Sequence, residues 1–523
     1  MRLPRPGRPA RLALSVTVLP LLAGLVLAST TSASAMPDAT TSDAVAPTVT
    51  PPAADPAHPG LPTLPDPAAD QAEQALEQAE QALAGEGDLD PTLALAELAS
   101  EVDDLEGRDR QQAEALFARP TDDGVEYGVP DDNYGDNPTR VICGEHVCVT
   151  RAKEGKERSG RRWAKTVLET FETAWADEVD RMGYLAPLPD DGPPSEGTDT
   201  KLDVYVARLS PELYGYAVPD DRYRRTSSAY LVVDNNYASF DADPVEVLQA
   251  TAAHEFFHAI QFAYDRLEDP WFMESTATWI EDEVFDAVND NVNFLAESSL
   301  AKPRLALDHP RTWYGNWVFF RFLTEREELG TGLVRAMWQR AVDTHSTKAV
   351  NRTLTSRGSS MAREFAAFSV VNNAPKKSYD EGHLYPTAGV TQKWTLGSST
   401  RSTKEQSQGI RHLSSRNYRL VPDSALAPNW RLKITVNGPS DVSRASVLVH
   451  RRDGSLTRRV VDLGPKGNGT LRVDFAPDQV RKVSLNLANA SLSYRCGTGG
   501  GYACNGTPRD DKRRFRFTAR TVR

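Results

Sequence analysis

The residues best placed to do chemistry together are His254-Glu255-Phe256-Phe257-His258. Asp243-Pro244 supplies a capping acid and a first-turn proline, the start of a helix. Glu246 stands where a capping-box acid would. Val247, Leu248, Ala252, Phe256, Ala259, Ile260 and Ala263 keep helical spacing through the motif, and residues 245–269 contain neither Gly nor Pro. Positions four apart on a helix lie about 40° apart around its axis, so both imidazoles can reach one metal ion. Glu255 lies beside them, placed to address a water bound to that ion. Zinc lowers the pKa of its water to about 7 and polarises a carbonyl, so a nearby carboxylate can take the proton near neutral pH. With nine His and 72 acids in the chain, chance would supply such a motif only about 0.01 times. Two phenylalanines between the histidines argue against a solvated helix face.

A catalytic zinc needs a third protein ligand and an open position. The metzincin pattern would put glycine at 261 and histidine at 264. This chain has Gln261 and Tyr264, which excludes that class. Asp269-Pro270 opens a second helix, and Glu274 is read as lying in its first turn, where a negative charge is favourable. Glu274 is the expected third ligand. Glu281 follows seven residues later on nearly the same face. It is either an exposed acid or the acceptor that fixes the tautomer of a ligand histidine.

His-Glu-x-x-His followed by a Trp-x-x-Glu-x-x-Ala element resembles the gluzincins, zinc peptidases with two His and one Glu as ligands. The spacing from His258 to Glu274 is shorter than in the thermolysin-like and aminopeptidase families. The longer stretch HEFFHAIQFAYD, with WFMESTATWIEDEVFDAVND and YGNWVFF at 314–320, is similar to a family of metalloproteases of largely uncharacterised substrate. That likeness runs from about residue 120 to the C-terminus. It implies a zincin-like α+β peptidase fold with one catalytic Zn2+. It also implies a donor to the developing oxyanion downstream of the third ligand. Tyr314 is the candidate, with His309 second, and Gly315 suggests a bend that exposes the phenol. The competing reading of Tyr314 is a core aromatic among Trp313, Trp317, Phe319 and Phe320.

The elements that must position these residues are legible in outline. A chain of 523 residues exceeds one core and predicts several units. Residues 1–35, with four arginines, an apolar run to Ala28 and Ala33-Ser34-Ala35, read as a secretory signal peptide. Residues 36–66 are rich in Pro, Ala, Thr and Asp and read as a disordered linker. Residues 67–118 read as an acidic helical pair opened by Asp66-Pro67 and Asp90-Pro91. It is either a docked surface hairpin, the preferred reading, or a pro-segment that occludes the site. Residues 119–405 are expected to form the α+β metallopeptidase domain. It has a helix over Arg162–Met182, strands at Lys201–Leu209 and Ala229–Val233, then helices to about residue 370. Ala229–Val233 is taken as the sheet edge along which an extended substrate pairs. Residues 406–523 hold short alternating runs at 431–436, 445–450, 470–475 and 482–487, with Asp453-Gly454 as a hairpin turn. They read as a separate all-β sandwich.

Four cysteines leave three pairings open. Local bridges between Cys143 and Cys148 and between Cys496 and Cys504 fit an oxidising compartment. Asp131-Asp132-Asn133 and Asp220-Asp221 offer only weak support for Ca2+, lacking the EF-hand spacing, and solvated loops are the preferred reading. The formal charge is −12, yet residues 401–523 carry 24 Lys and Arg against 9 Asp and Glu, a charge of +15. Nucleic acid is excluded as a partner, chiefly by compartment, as is a membrane span after signal removal. An anionic wall polymer or surface suits the basic C-terminal part. Expected overall is a secreted zinc endopeptidase acting on protein or peptide. The alternative is a secreted adhesion or wall-binding protein with an inactive metal site.

Overall fold

The structure, a computed structural model, describes residues 67–523 except 87–88, 123–131, 190–199, 212, 223, 327–328 and 331. The leader expected at 1–35, the linker at 36–66, Asp66 and Asp131 lie outside the described residues. The chain enters through α1 (Pro67–Leu83), α2 (Pro91–Glu101) and α3 (Gly107–Leu116). The helical pair is followed by a third helix whose only buried residues are Ala113 and Leu116, too few for a readable periodicity.

A five-stranded sheet comes next, built from β1 (Thr139–Cys143), β2 (Val147–Ala152), β3 (Leu202–Ala207), β4 (Gly215–Pro219) and β5 (Ala229–Asp234). Its order is β1-β2-β3-β5-β4. β2, β3 and β5 run parallel, while β1 and β4 are antiparallel edges. The expected substrate edge is thereby corrected: Ala229–Asp234 is an interior strand, and Gly215–Pro219 is the edge. Composition could not tell them apart, because α2 packs on β4 and every residue of both strands is buried. Between β2 and β3 lies α4 (Arg161–Trp175), which passes into a π turn at Ala176–Arg181, so the long helix expected to Met182 changes its winding midway.

Both faces of this sheet are covered, which is why its strands read as continuous apolar runs. Val204, Val206, Leu231 and Val233 enter a core shared with α4 and the later helices. Tyr205, Tyr216, Val218, Tyr230 and Val232 enter a second core shared with α1, α2 and α3. The later helices are α5 (Pro244–Asp265), α6 (Pro270–Val284), α7 (Trp317–Thr324), α8 (Gly332–Ala341), α9 (Ser346–Ser356) and α10 (Met361–Val371). Helix α5 is buried on every side from Val247 onward, the pattern of a central core helix.

The C-terminal β-rich region contains β6 (Gln392–Leu396), β7 (Gln406–Ile410), β8 (Ser414–Pro422), β9 (Arg431–Asn437), β10 (Ser443–Arg451), β11 (Leu456–Val460), β12 (Asn468–Asp474), β13 (Val480–Asn489) and β16 (Arg513–Val522), with a short ladder of β14 (Tyr494–Arg495) and β15 (Thr507–Pro508). Sheets ordered β11-β10-β13-β8-β6 and β12-β9-β16-β7 share one apolar core. Asp453 and Gly454, the latter at φ +88°, turn β10 into β11 as expected. Two features depart from expectation. β6 precedes residue 406 yet pairs with β8. The region also does not stand apart, since Leu64–Arg523 forms one compact unit. Leu413, Ala488, Ala490 and Ala503 belong to the same core as α5 and α6. Cys143 is bonded to Cys148 across the β1–β2 hairpin, and Cys496 to Cys504.

Candidate metal centre

Helix α5 starts as its sequence dictates: Asp243 caps it, accepting a hydrogen bond from Val245 N at 2.8 Å. It carries His254 and His258 against α6, which carries Glu274 and Glu281. One ligand atom from each of His254, His258 and Glu274 lies within 4.8 Å of the others, and all three residues are buried. His254 Nε2 is 3.3 Å from Glu274 Oε2, and His258 Nε2 is 3.7 Å from Glu274 Oε1. Glu274 is the fifth residue of α6 and lies beyond its first turn, so the helix-terminus argument for it falls away. What places it is the packing of α6 on α5.

The far side of each imidazole is held. His254 Nδ1 is 2.7 Å from Glu281 Oε1, so Glu281 is the buried partner of a histidine and not an exposed acid. His258 Nδ1 is 2.7 Å from Gln261 Oε1. The orientation of Gln261 is fixed by its amide nitrogen, which donates to Met273 O at 3.0 Å and to Thr276 Oγ1 at 3.2 Å. Its oxygen must then face His258, whose Nδ1 must donate. That leaves the Nε2 lone pair turned toward Glu274. Sequence reasoning used Gln261 only to exclude another class. Its place three residues after His258, adjacent on a helix surface, was the available signal.

These contacts leave atoms over. His258 Nε2 and both carboxylate oxygens of Glu274 are buried without a hydrogen-bond partner. Orphaned buried acceptors are costly, and a cation among them would satisfy all three at once. Two imidazoles and a carboxylate form a donor set that suits zinc. Burial holds His258 down to about 4, so it stays neutral as a metal ligand must. Burial also acts to lower His254, but Glu274 and Glu281 outweigh it and hold its pKa well above the ordinary histidine value. Burial pushes the Glu255 carboxyl up to about 8; His254 opposes this, while Asp90 and Glu274 add to it.

A cavity of about 290 Å³ opens beside this group, lined among others by His254, Glu255, Glu281, Gly215, Asp90 and Tyr314. Gly215 on β4 must be glycine: a Cβ there would lie 2.8 Å from Thr251 Cγ2, 2.9 Å from Val232 O and 3.3 Å from Glu255 Cγ. Tyr314 lies at the site, its ring stacked on Phe294 and 5.8 Å from the ring of His254. Its hydroxyl donates to Asp90 Oδ2 at 2.8 Å. Gly315 does not make the expected bend. It permits close approach, since a Cβ would fall 2.5 Å from Phe294 O. His309 is placed elsewhere, accepting from Arg311 N and facing Tyr502.

Elsewhere the acids suggested for calcium are spent: Asp132 accepts from the Tyr216 hydroxyl, and Asp220 pairs with Arg119 at 2.7 Å. Among the described residues one other group, His345 with Cys496 and Cys504, has metal-like proximity, but its two thiols are joined in a disulfide. No described helix is long and apolar enough to cross a membrane.

No family model and no curated protein matches this chain. Among solved structures, it is similar to Aeromonas hydrophila PliG, a periplasmic lysozyme inhibitor of g-type lysozyme, at 10% identity and a TM-score of 0.16. The match covers 25% of this chain and 98% of that one, and so low a score assigns neither fold nor function.

Proposed function

We propose that this chain is an exported zinc-dependent endopeptidase of zincin-like architecture. One observation carries the reading. Two buried imidazoles, each held by a partner at Nδ1, turn Nε2 toward a carboxylate with no hydrogen-bond donor of its own, and one of them, His254, lines an open cavity together with Glu255. His254, His258 and Glu274 would hold the ion. When bound, zinc polarises a peptide carbonyl and makes a water acidic enough to ionise near neutral pH. Glu255 takes the water proton and passes it to the leaving amine. Tyr314, whose hydroxyl rests on Asp90, would turn that proton to the carbonyl oxygen as negative charge develops there. The stretch of β4 in the cavity wall, at Gly215, is the sheet edge an extended peptide would join. Two closed disulfides suit an oxidising compartment.

The test is Glu255→Gln. The wild-type protein should hold about one zinc per chain by atomic emission and cleave casein. The variant should keep the metal and lose cleavage. Full zinc occupancy in a wild-type protein that cleaves no protein or peptide would reject the reading in favour of a metal-holding adhesion protein.

A further inference from the structure

Two residues of the N-terminal helical segment reach the metal centre, and the chemistry described so far gives them no role. Asp90 is the N-cap of α2. Its Oδ1 accepts from Thr92 N at 2.7 Å, and its Oδ2 accepts from the Tyr314 hydroxyl at 2.8 Å. One carboxylate thus starts the helix with one oxygen and holds the tyrosine with the other. Thr92 is fully buried. Its hydroxyl accepts from Ala217 N on β4 at 3.0 Å and lies 3.2 Å from Glu255 Oε2. A hydroxyl has one proton, and with Ala217 N–H on its lone pair that proton goes to Glu255.

Such contacts fit either a segment that plugs the cleft or a built-in support. The packing of α2 decides between them. Leu93 and Ala96 lie in the core of α5 and α6, while Leu95 and Leu98 lie in the core on the opposite face of the sheet. The buried guanidinium of Arg266, at the end of α5, donates to Ala96 O at 2.8 Å and to Ser100 Oγ at 3.0 Å. Removing α1 and α2 would bare Tyr205, Tyr216, Val218, Tyr230 and Val232, and would take two of the four acceptors from that cation, leaving it Arg222 O and Arg224 O. An element packed into the cores on both faces of the sheet is part of the catalytic framework.

We propose that Thr92 is a positioning residue for the base Glu255. This rests on the reading of Glu255 as the base. Thr92 ties the base to the same strand that lines the substrate cavity, and fixes one carboxylate oxygen so that the other faces the water.

The test uses the full-length zinc protein and its cobalt(II)-substituted form, with Thr92→Val and Thr92→Ser. Thr92→Val should lower kcat about 10- to 100-fold, with KM nearly unchanged, as loss of a supporting hydrogen bond does at other metal sites. Thr92→Ser should restore most of it. In the cobalt protein, Thr92→Val should move the pH at which the visible spectrum changes, and Thr92→Ser should not. A rise in turnover in Thr92→Val would mean that the segment plugs the site, and would overturn the proposal. Equal kcat and an unmoved cobalt transition would overturn it too, leaving the peptidase reading intact. A moved cobalt transition in a protein that cleaves nothing would keep the positioning of Glu255 and reject the peptidase.

Discussion

The candidate metal centre and the Asp308–His412 cluster are both buried sets of histidine and carboxylate, and they are balanced differently. Asp308 Oδ1 lies 2.9 Å from His412 Nε2, while its Oδ2 accepts from the Tyr494 hydroxyl at 2.8 Å and from Ala503 N at 3.2 Å. Despite burial, these partners hold the Asp308 carboxyl below its ordinary value. His412 is raised to about 9: burial lowers it, but Asp308 and Asp511 more than offset that. This is an ion pair with both carboxylate oxygens filled, clamping the β-rich region to the residues before α7. At Glu274 neither oxygen has a hydrogen-bond donor, and His258 stays neutral. The same residue types build a structural clamp where every acceptor is filled, and a cation seat where acceptors are left over.

The contrast can be broken most directly at Glu274. Glu274→Ala should reduce zinc from about one per chain to background and abolish hydrolysis, with folding retained by circular dichroism. At the clamp the expectation reverses. Asp308→Ala should leave zinc content unchanged but destabilise the fold by about 3–5 kcal/mol, read by urea unfolding, because it leaves His412 buried without its partner.

A pH titration sharpens the clamp. The pKa of His412 is raised on folding, so its contribution is fully present below about 6.5 and is lost as pH rises through about 9. The loss should be on the order of 3 kcal/mol, and His412→Gln should flatten that part of the stability–pH curve. At the metal centre, Gln261→Ala should weaken zinc about 10- to 100-fold in competition with a chelator, since His258 loses the partner that sets its tautomer. The smallest effect belongs to the exposed hydroxyl pair Thr435–Thr470 on the sandwich surface, 3.3 Å apart. Thr435→Val should change stability by less than about 1 kcal/mol and zinc not at all.

Much of the site was legible because it is local. Asp243-Pro244, the four-residue spacing of His254 and His258, and the seven-residue step from Glu274 to Glu281 follow from helix geometry alone. Asp453-Gly454 identified its hairpin by turn chemistry. What went unread depends on partners far off in sequence. His412 has no metal-like spacing, and only the docking of Asp308 gives it a role. Ala229–Asp234 is apolar enough for any strand of the sheet, and its interior position follows from what pairs on either side of it.

By itself, then, the sequence determined that His254, Glu255 and His258 share one helix and that Glu274 and Glu281 share the next, because a helix places side chains by periods of a few residues. Tertiary structure decided which strand is the edge, which atoms are left unsatisfied, and that Asp90 and Thr92 meet Tyr314 and Glu255. Those pairs are 224 and 163 residues apart, and no local periodicity constrains contacts made when separate layers stack.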